Sequence, residues 1–510
     1  MSVVVPPQAK KGRGSELFLL LLALGIGALA WKLVVVGVGG TPGASGVMSG
    51  SSARAQAAAG GTGALPPGFW TWGAAMAALT VIVHLILRHS APWADPILFP
   101  SALLLNLLGL AMIYRIDLSL GTRSYRSQLI LTCAGLVAMI ITVLAIRDHR
   151  VLRRFTFTSL AAGLGLLLLP LVPGIGRELY GSRIWINVAG FSFQPGELAK
   201  LCFAVFFAGY LVMQRDNLAL AGRVVLGFPI PKARHLIPIL TAWILCLLTL
   251  AFEEDFGTAL LFFGLFVVML YVATERVSWL VIGGALTAVA ALFIVRIEPH
   301  IQARITVWLH AMDPDVYNAR GGSYQVVQGF FGMGSGGLFG TGFGHGYPTL
   351  TALANSDFIV ASFGEEIGLA GLLALLTIYL VIVVRGLRIG TMLRDGFGKL
   401  LATGLAFILA LQCFVVVGGI TRLIPLTGLA MPFLAHGGSA LLTNWILIGL
   451  LLRMSDASRR PNVSASSGND SGSMVAITTR VAEQIGLEDG ASEGASDAAS
   501  TAAVQPGGTQ

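Results

Sequence analysis

Three stretches of this 510-residue chain carry residue types at spacings that could do chemistry. In Ala354-Asn355-Ser356-Asp357-Phe358, a carboxylate stands where a long polar interval re-enters an apolar run. A carboxylate so placed can serve as a general base on a substrate held at a membrane surface. The second, Phe193-Gln194-Pro195-Gly196-Glu197-Leu198-Ala199-Lys200, puts an ammonium about a turn inside an apolar stretch. A charge there costs roughly 2.5–3.5 kcal/mol on insertion scales, so Lys200 is either a snorkelling side chain or a functional one. Glu197, at i−3, offsets part of that cost. The third, Glu253-Glu254-Asp255-Phe256-Gly257-Thr258, separates two apolar runs. It reads as a tight external hairpin with its carboxylates in water and Thr258 capping the next helix, or as three acids that position a cation or a substrate.

The polar interval Glu298–Asp357 is the longest between two apolar runs and carries Arg304, Trp308, Asp313, Asp315, Arg320, Tyr324, Gln325 and Gln328. Long loops that are neither tails nor linkers usually carry function. Its glycine run, Gly332 to Gly346, matches a loose GxGxxG, but no strand precedes it and no GK[ST] follows, so a nucleotide site is not indicated. The run reads as a flexible external loop whose backbone can approach a sugar or pyrophosphate. Ser356-Asp357 before an apolar helix is also an N-cap pattern. The two readings of Asp357 coexist, because a helix N-terminus keeps a carboxylate ionised. Glu365 and Glu366 follow roughly 12 Å deeper along that helix, as functional groups or as ties between helices.

The elements that position these residues are transmembrane helices. The chain is 55% hydrophobic and 11% charged, against about 25% charged in a soluble domain. Spans are expected near Leu17–Val38, Phe69–Leu87, Ile97–Tyr114, Gln128–Ile146, Thr156–Val172 and Gly196–Met213, and near Leu236–Phe252, Gly257–Thr274, Val277–Val295, Phe358–Val384, Leu400–Ile420 and Ala430–Leu452. The net charge of +8 does not form a stripe. Basic residues gather at alternate ends of the runs, a positive-inside pattern that excludes a nucleic-acid partner and puts both termini in the cytoplasm. Arg115, Arg123 and Arg126 are the main exception. The same tally puts the Glu298–Asp357 loop outside. Cys133, Cys202, Cys246 and Cys413 lie inside apolar runs without CxxC spacing, and no His pattern suits a structural metal. The expected organisation is a cytoplasmic N-terminus (1–15), two N-terminal helices joined by a Gly/Ala-rich external linker (16–95), a transmembrane core (96–454) and a disordered cytoplasmic tail (455–510).

Taken together, the motifs resemble the FtsW/RodA/SpoVE family, also called SEDS proteins. The matching pieces are Trp185-Ile186 with Gln194-Pro195-Gly196-Glu197-Leu198-Ala199-Lys200, then Asp255-Phe256-Gly257-Thr258, Tyr324-Gln325 and Gly336-Gly337-Leu338-Phe339-Gly340. Ser356-Asp357-Phe358, Glu365-Glu366-Ile367-Gly368, Pro425-Leu426-Thr427-Gly428-Leu429, Pro432-Phe433 and Gly437-Gly438-Ser439 complete the order. The two added N-terminal spans and Thr421-Arg422-Leu423-Ile424-Pro425 look like the actinobacterial branch, closer to RodA than to FtsW. Departures include Gly196 for the usual Ser, Glu254 for a Pro, and Ala435-His436 for Ser-Tyr.

The resemblance implies an all-α polytopic membrane protein with a SEDS-type core of ten transmembrane helices plus two extra N-terminal ones. It implies a peptidoglycan glycosyltransferase in the cell membrane that polymerises lipid II with a class B penicillin-binding protein and other cell-wall or division proteins. Asp357 would be the catalytic base. Lys200, Trp185, Arg183, Asp255, Glu366, Arg304 and Gln325 would contact substrate, with no certain cofactor beyond an optional Mg or Mn ion. A lipid II flippase and a non-catalytic scaffold are the competing readings.

Overall fold

The computed structural model describes residues 14–39, 65, 68–179, 182–188, 191–219, 223–225, 228–230, 241, 244 and 255–460. In chain order the helices are α1 (Gly14–Gly39), α2 (Phe69–Ser90), α3 (Leu98–Leu120), α4 (Ser124–Ala145), α5 (Thr156–Leu168), α6 (Pro195–Ala219), α7 (Phe256–Thr274) and α8 (Ser278–Ile297). Three short helices follow, α9 (Pro299–Leu309), α10 (Pro314–Asn318) and α11 (Tyr324–Gly336), then α12 (Ile359–Met392), α13 (Gly396–Ile420) and α14 (Gly438–Arg459). Strands β1 (Gly176–Leu179), β2 (Ser182–Val188) and β3 (Phe191–Phe193) form an antiparallel sheet before α6. A second pair, β4 (Arg223–Val225) and β5 (Phe228–Ile230), follows α6.

Among the described residues ten helices are long and apolar enough to cross a membrane. They coincide with ten of the twelve expected spans. The Val277–Val295 span appears as α8, and the Leu236–Phe252 span lies outside the described residues, as do most of the Gly/Ala-rich linker and residues 461–510. Ser455 to Arg459, expected in the tail, belong instead to α14, with Ser455 and Asp456 buried. The chain is an all-α polytopic membrane protein.

Aromatic side chains fill the bundle: Trp445 lies edge-on to Phe433 and Phe99, and Phe203 packs on Phe262. The N-terminal helices join this core directly. Trp31 of α1 stacks on Tyr114 of α3 with centroids 4.4 Å apart, and Glu16 meets His84 of α2 in a buried pair.

The two ends of the bundle differ in chemistry. At one, Asp95 is buried beneath Arg385 and Arg459, and Arg453 donates to the carbonyls of Ser90 and Ile146. Asp395 caps α13 by accepting from Gly398 N at 2.7 Å and from His149 at 2.9 Å. Although partial burial pushes the Asp395 carboxyl up, the His149 and Gly398 bonds and the charges of His149 and Arg150 hold it well below the usual carboxylate range. The start of α12 and the end of α13 lie at the other end, with the candidate site.

α12 is not continuous. Gly368 has φ 68° and ψ −173°, which breaks the helix into a first part, 359–367, and a longer second part. The glycine run closes this gap. Thr341 and Gly342 donate backbone N–H groups to the carbonyls of Glu365 and Glu366 (3.0 and 2.9 Å), while Leu369 and Ala370 donate to Gly337 and Leu338 (2.9 and 3.0 Å). The groups orphaned by the break are thereby paired, as apolar surroundings demand. The expected flexible loop is therefore corrected: Gly332–Gly336 belongs to α11, and the rest of the run is packed against the break. Glycine is required there by contact as well as by φ, since a Cβ at Gly340 (φ 82°) would sit 2.2 Å from Glu366 O.

Candidate active site

The site is built around the segment Pro425–Ala430, which follows α13. Arg304, on α9, donates from Nη1 to the carbonyls of Leu426 (3.2 Å) and Thr427 (3.3 Å). Gly257, at the start of α7, packs so closely that an added Cβ would lie 3.0 Å from Thr427 O. Gln412 of α13 donates to Ala430 O at 2.9 Å. Gly428, at φ 78°, faces Asp357, with only 3.9 Å between an added Cβ and Oδ2. Four parts of the chain thus meet on one strip of backbone.

Asp357 is partly open to the outside of this strip. Burial pushes its carboxyl up to about 7, against the Arg304 charge and the Ser356 hydroxyl, which favour the anion. The N-cap reading is corrected here. The cap position of α12 is Phe358, and no side chain caps the helix. The Arg304 charge and the Ser356 hydroxyl, rather than a capped helix terminus, favour the anion, and burial outweighs them. A carboxyl poised near neutrality suits a general base better than a strongly acidic one.

Lys200 lies beneath. The residue is 1% exposed, and its ammonium donates to Glu197 Oε2 at 2.5 Å and Gln412 Oε1 at 3.0 Å. Pro195 starts α6 with Glu197 in its first turn, as the sequence pattern suggests. Asp255 is the cap of α7, accepting from Thr258 N (3.0 Å) and from the Thr258 hydroxyl (2.6 Å), while Gln194 Nε2 reaches it at 3.3 Å. The expectation of Thr258 as cap and of Asp255 in water is therefore reversed: Asp255 is the cap, and it is buried. Burial pushes its carboxyl up, opposed by the two Thr258 bonds, reinforced by Glu197 and opposed again by Arg304. Glu253 and Glu254 lie outside the described residues.

The remaining expected residues divide. Gln325 holds Ala352 O at 2.8 Å and so ties α11 to the stretch leading into Asp357. Glu366 belongs to a different cluster, paired with Arg115 at 2.8 Å. Arg183 and Trp185 lie on β2, the first exposed and the second half-buried, in the sheet that precedes α6. Gln412, Gln194 and Arg115 carry bonds in these clusters without having been singled out as site residues. A lone amide inside the Leu400–Ile420 run was the available signal for Gln412, and an outlying basic residue the signal for Arg115.

A profile of the cell cycle protein family FtsW/RodA/SpoVE matches residues 96–460. The chain belongs to the FtsW/RodA/SpoVE family. It is 44% identical over 399 residues to peptidoglycan glycosyltransferase RodA of Mycobacterium tuberculosis, covering 77% of this chain and 84% of that one. It is 31% identical over 370 residues to the probable peptidoglycan glycosyltransferase FtsW of Geobacter metallireducens, covering 71% and 94%. A chain from a structure of a peptidoglycan synthase complex superposes with a TM-score of 0.57 at 22% identity, covering 72% of this chain and 99% of that one, a likeness of fold. All the residues gathered at the Pro425–Ala430 strip fall within the FtsW/RodA/SpoVE match, whereas α1 and α2 precede it.

Proposed function

We propose that the protein is a peptidoglycan glycosyltransferase that polymerises lipid II at the outer face of the cytoplasmic membrane, both termini being cytoplasmic, beside a class B penicillin-binding protein. The observation that carries this reading is Asp357, partly open at the end of the bundle, with its carboxyl near neutrality beside Arg304. The relatives' activity and the synthase complex among the structural likenesses support the chemistry and the partner.

In the reaction, the Asp357 carboxylate takes the proton from the acceptor sugar's 4-hydroxyl as that oxygen bonds to the donor's anomeric carbon. The bond from that carbon to the pyrophosphate oxygen breaks, and undecaprenyl pyrophosphate leaves with the electron pair. One base and no covalent intermediate invert the anomeric carbon. Arg304 sits where positive charge meets both the base and the strip that would face the pyrophosphate, an electrostatic role. Lys200 enters as the anchor of that strip, since Glu197 and Gln412 engage its ammonium. Two lipid-linked substrates held in one bilayer plane meet with part of their orientational entropy already lost. Among the described residues no group of three or more His, Cys, Asp or Glu side chains could hold a metal ion.

The test is polymerisation of labelled lipid II by purified protein and partner in detergent, where transport has no meaning. Glycan strands that vanish with Asp357→Asn, while folding and partner binding persist, support the enzyme. A well-folded wild type with its partner that makes no polymer overturns it in favour of a flippase or scaffold. The flippase reading has less support, because Lys200, Asp255, Glu365 and Glu366 each hold bonds within the fold.

A further inference from the structure

Arg115 and Glu366 form a buried ion pair, 4% and 1% exposed, that the reaction above does not use. A buried pair is weak evidence for stability in itself, so its geometry has to supply the reason for it. Arg115 projects from α3 and makes three different bonds: Nε to Glu366 at 2.8 Å, Nη2 to the carbonyl of Gly346 at 2.7 Å, and Nη1 to Ser119. Glu366 uses its second oxygen to accept from Gly344 N at 3.0 Å, and Glu365 accepts from Tyr347 N at 2.6 Å.

Apart from the Ser119 bond, which stays within α3, these bonds land on the first part of α12 and on residues 344–347 over it. That short helical segment, 359–367, carries Asp357 just before its start and Glu366 near its end. Because Gly368 breaks α12 directly afterwards, the segment is not held in line by the transmembrane part of its own helix. It is held by what surrounds it. An added Cβ at Gly336 would come within 2.1 Å of Gly364 O, and one at Gly346 within 2.9 Å of Glu366 Cγ, so α11 and the glycine run leave it no slack. Among the described residues, Arg115 is the α3 side chain that hydrogen-bonds to this assembly.

We propose that Arg115 is a positioning residue for the reaction at Asp357: by gripping Glu366 and Gly346 together, it fixes to α3 the helical segment at whose other end the base stands. This rests on the reading of Asp357 as the base. The bland alternative is that Arg115 only neutralises Glu366.

Three variants separate the two. Lys keeps the charge at position 115 but, as a point charge, cannot span Glu366, Gly346 O and Ser119 as a guanidinium does. Arg115→Lys is expected to lose about tenfold or more in kcat, because small displacements of a reacting group are costly. KM for lipid II should stay within about twofold, since Arg115 contacts no substrate and only the alignment of the base is lost. Arg115→Met leaves Glu366 unpaired and should lower the unfolding midpoint as well. Arg115→Met/Glu366→Gln removes both charges; its midpoint should return toward wild type while kcat stays low. Hydrogen exchange over residues 354–367 should rise in all three. A double variant with wild-type kcat, or unchanged exchange over 354–367 in Arg115→Lys, overturns the proposal. An Asp357→Asn protein that polymerises like wild type overturns the base reading instead, and leaves the exchange measurement to decide whether Arg115 holds the segment.

Discussion

Lys200 Nζ donates to Gln412 Oε1 at 3.0 Å, and the same amide donates from Nε2 to Ala430 O at 2.9 Å. A lysine within one transmembrane helix is thus joined through a single side chain of another to the strip of backbone that faces Asp357. Lys200→Met would leave Glu197 buried without its cation, which costs about 3–5 kcal/mol. Thermal unfolding in detergent should show a lowered midpoint that Lys200→Met/Glu197→Gln largely restores. Gln412→Ala, which strips partners from both Lys200 and Ala430, should cost about 1–3 kcal/mol and lower polymerisation as well.

The base must be ionised to accept a proton, so turnover should rise with pH through a midpoint of about 7 and level off above it. Asp357→Asn should abolish this limb and cost about 10²–10⁴-fold in rate, the usual worth of a positioned general base. The sign for stability is opposite. A carboxyl raised on folding binds its proton more tightly in the native state, so its stabilising contribution is present at low pH. That contribution is lost as pH climbs from the unfolded value of about 4 to about 7. At pH 8 the Asn variant should therefore unfold at a higher temperature than wild type, and an equal or lower midpoint there would contradict the raised carboxyl of Asp357.

Arg304 favours the Asp357 anion. Arg304→Gln should move the acidic limb of the rate profile upward, so that activity falls most at pH 7 and partly recovers by about pH 9 for a base whose pKa has risen by a unit or so. A uniform loss at every pH would instead assign Arg304 to substrate contact alone. The comparison needs only initial rates across a buffer series.

Gly368→Ala should be among the most damaging single-methyl changes in the chain. Its φ of 68° with ψ of −173° is costly for any L side chain, and an added Cβ would meet Gly340 N at 2.2 Å. A loss of more than about 1–3 kcal/mol is expected from the backbone conformation alone, read as a lowered unfolding midpoint. Gly334→Ala, where an added Cβ meets nothing within 4 Å, is the control.

The spans were legible because about 20 consecutive apolar residues leave few alternatives, and eleven of the twelve appear as helices where hydropathy puts them, the other lying outside the described residues. Lys200 and Asp357 stood out because a charge near hydrocarbon needs a reason. The details failed where pairing depends on chain far away in sequence. Nothing local distinguishes Asp255 in water from Asp255 capping α7, since both place an acid before Gly257-Thr258. Nothing before Ile359 shows that Asp357 would miss the cap by one residue and lie half-buried against Gly428. The glycine run looked mobile because glycine is permissive in isolation; the partners that immobilise it, Glu365 and Glu366, follow only after a further stretch of chain. Gln412 was invisible as a site residue until folding set it between Lys200 and Ala430.

The gap in α12 is spliced by a distant piece of the same chain. If the glycine run lifted away, the carbonyls of Glu365 and Glu366 and the N–H groups of Leu369 and Ala370 would lose their partners together. In hydrocarbon each costs several kcal/mol. The run therefore cannot serve as an independent lid. Because the run is bonded on both sides of Gly368, it locks the two parts of α12 in one alignment, and any opening at this end of the protein must carry the splice and both parts of the helix together. Residues on both sides of the break that never meet a sugar thereby fix where Asp357 stands.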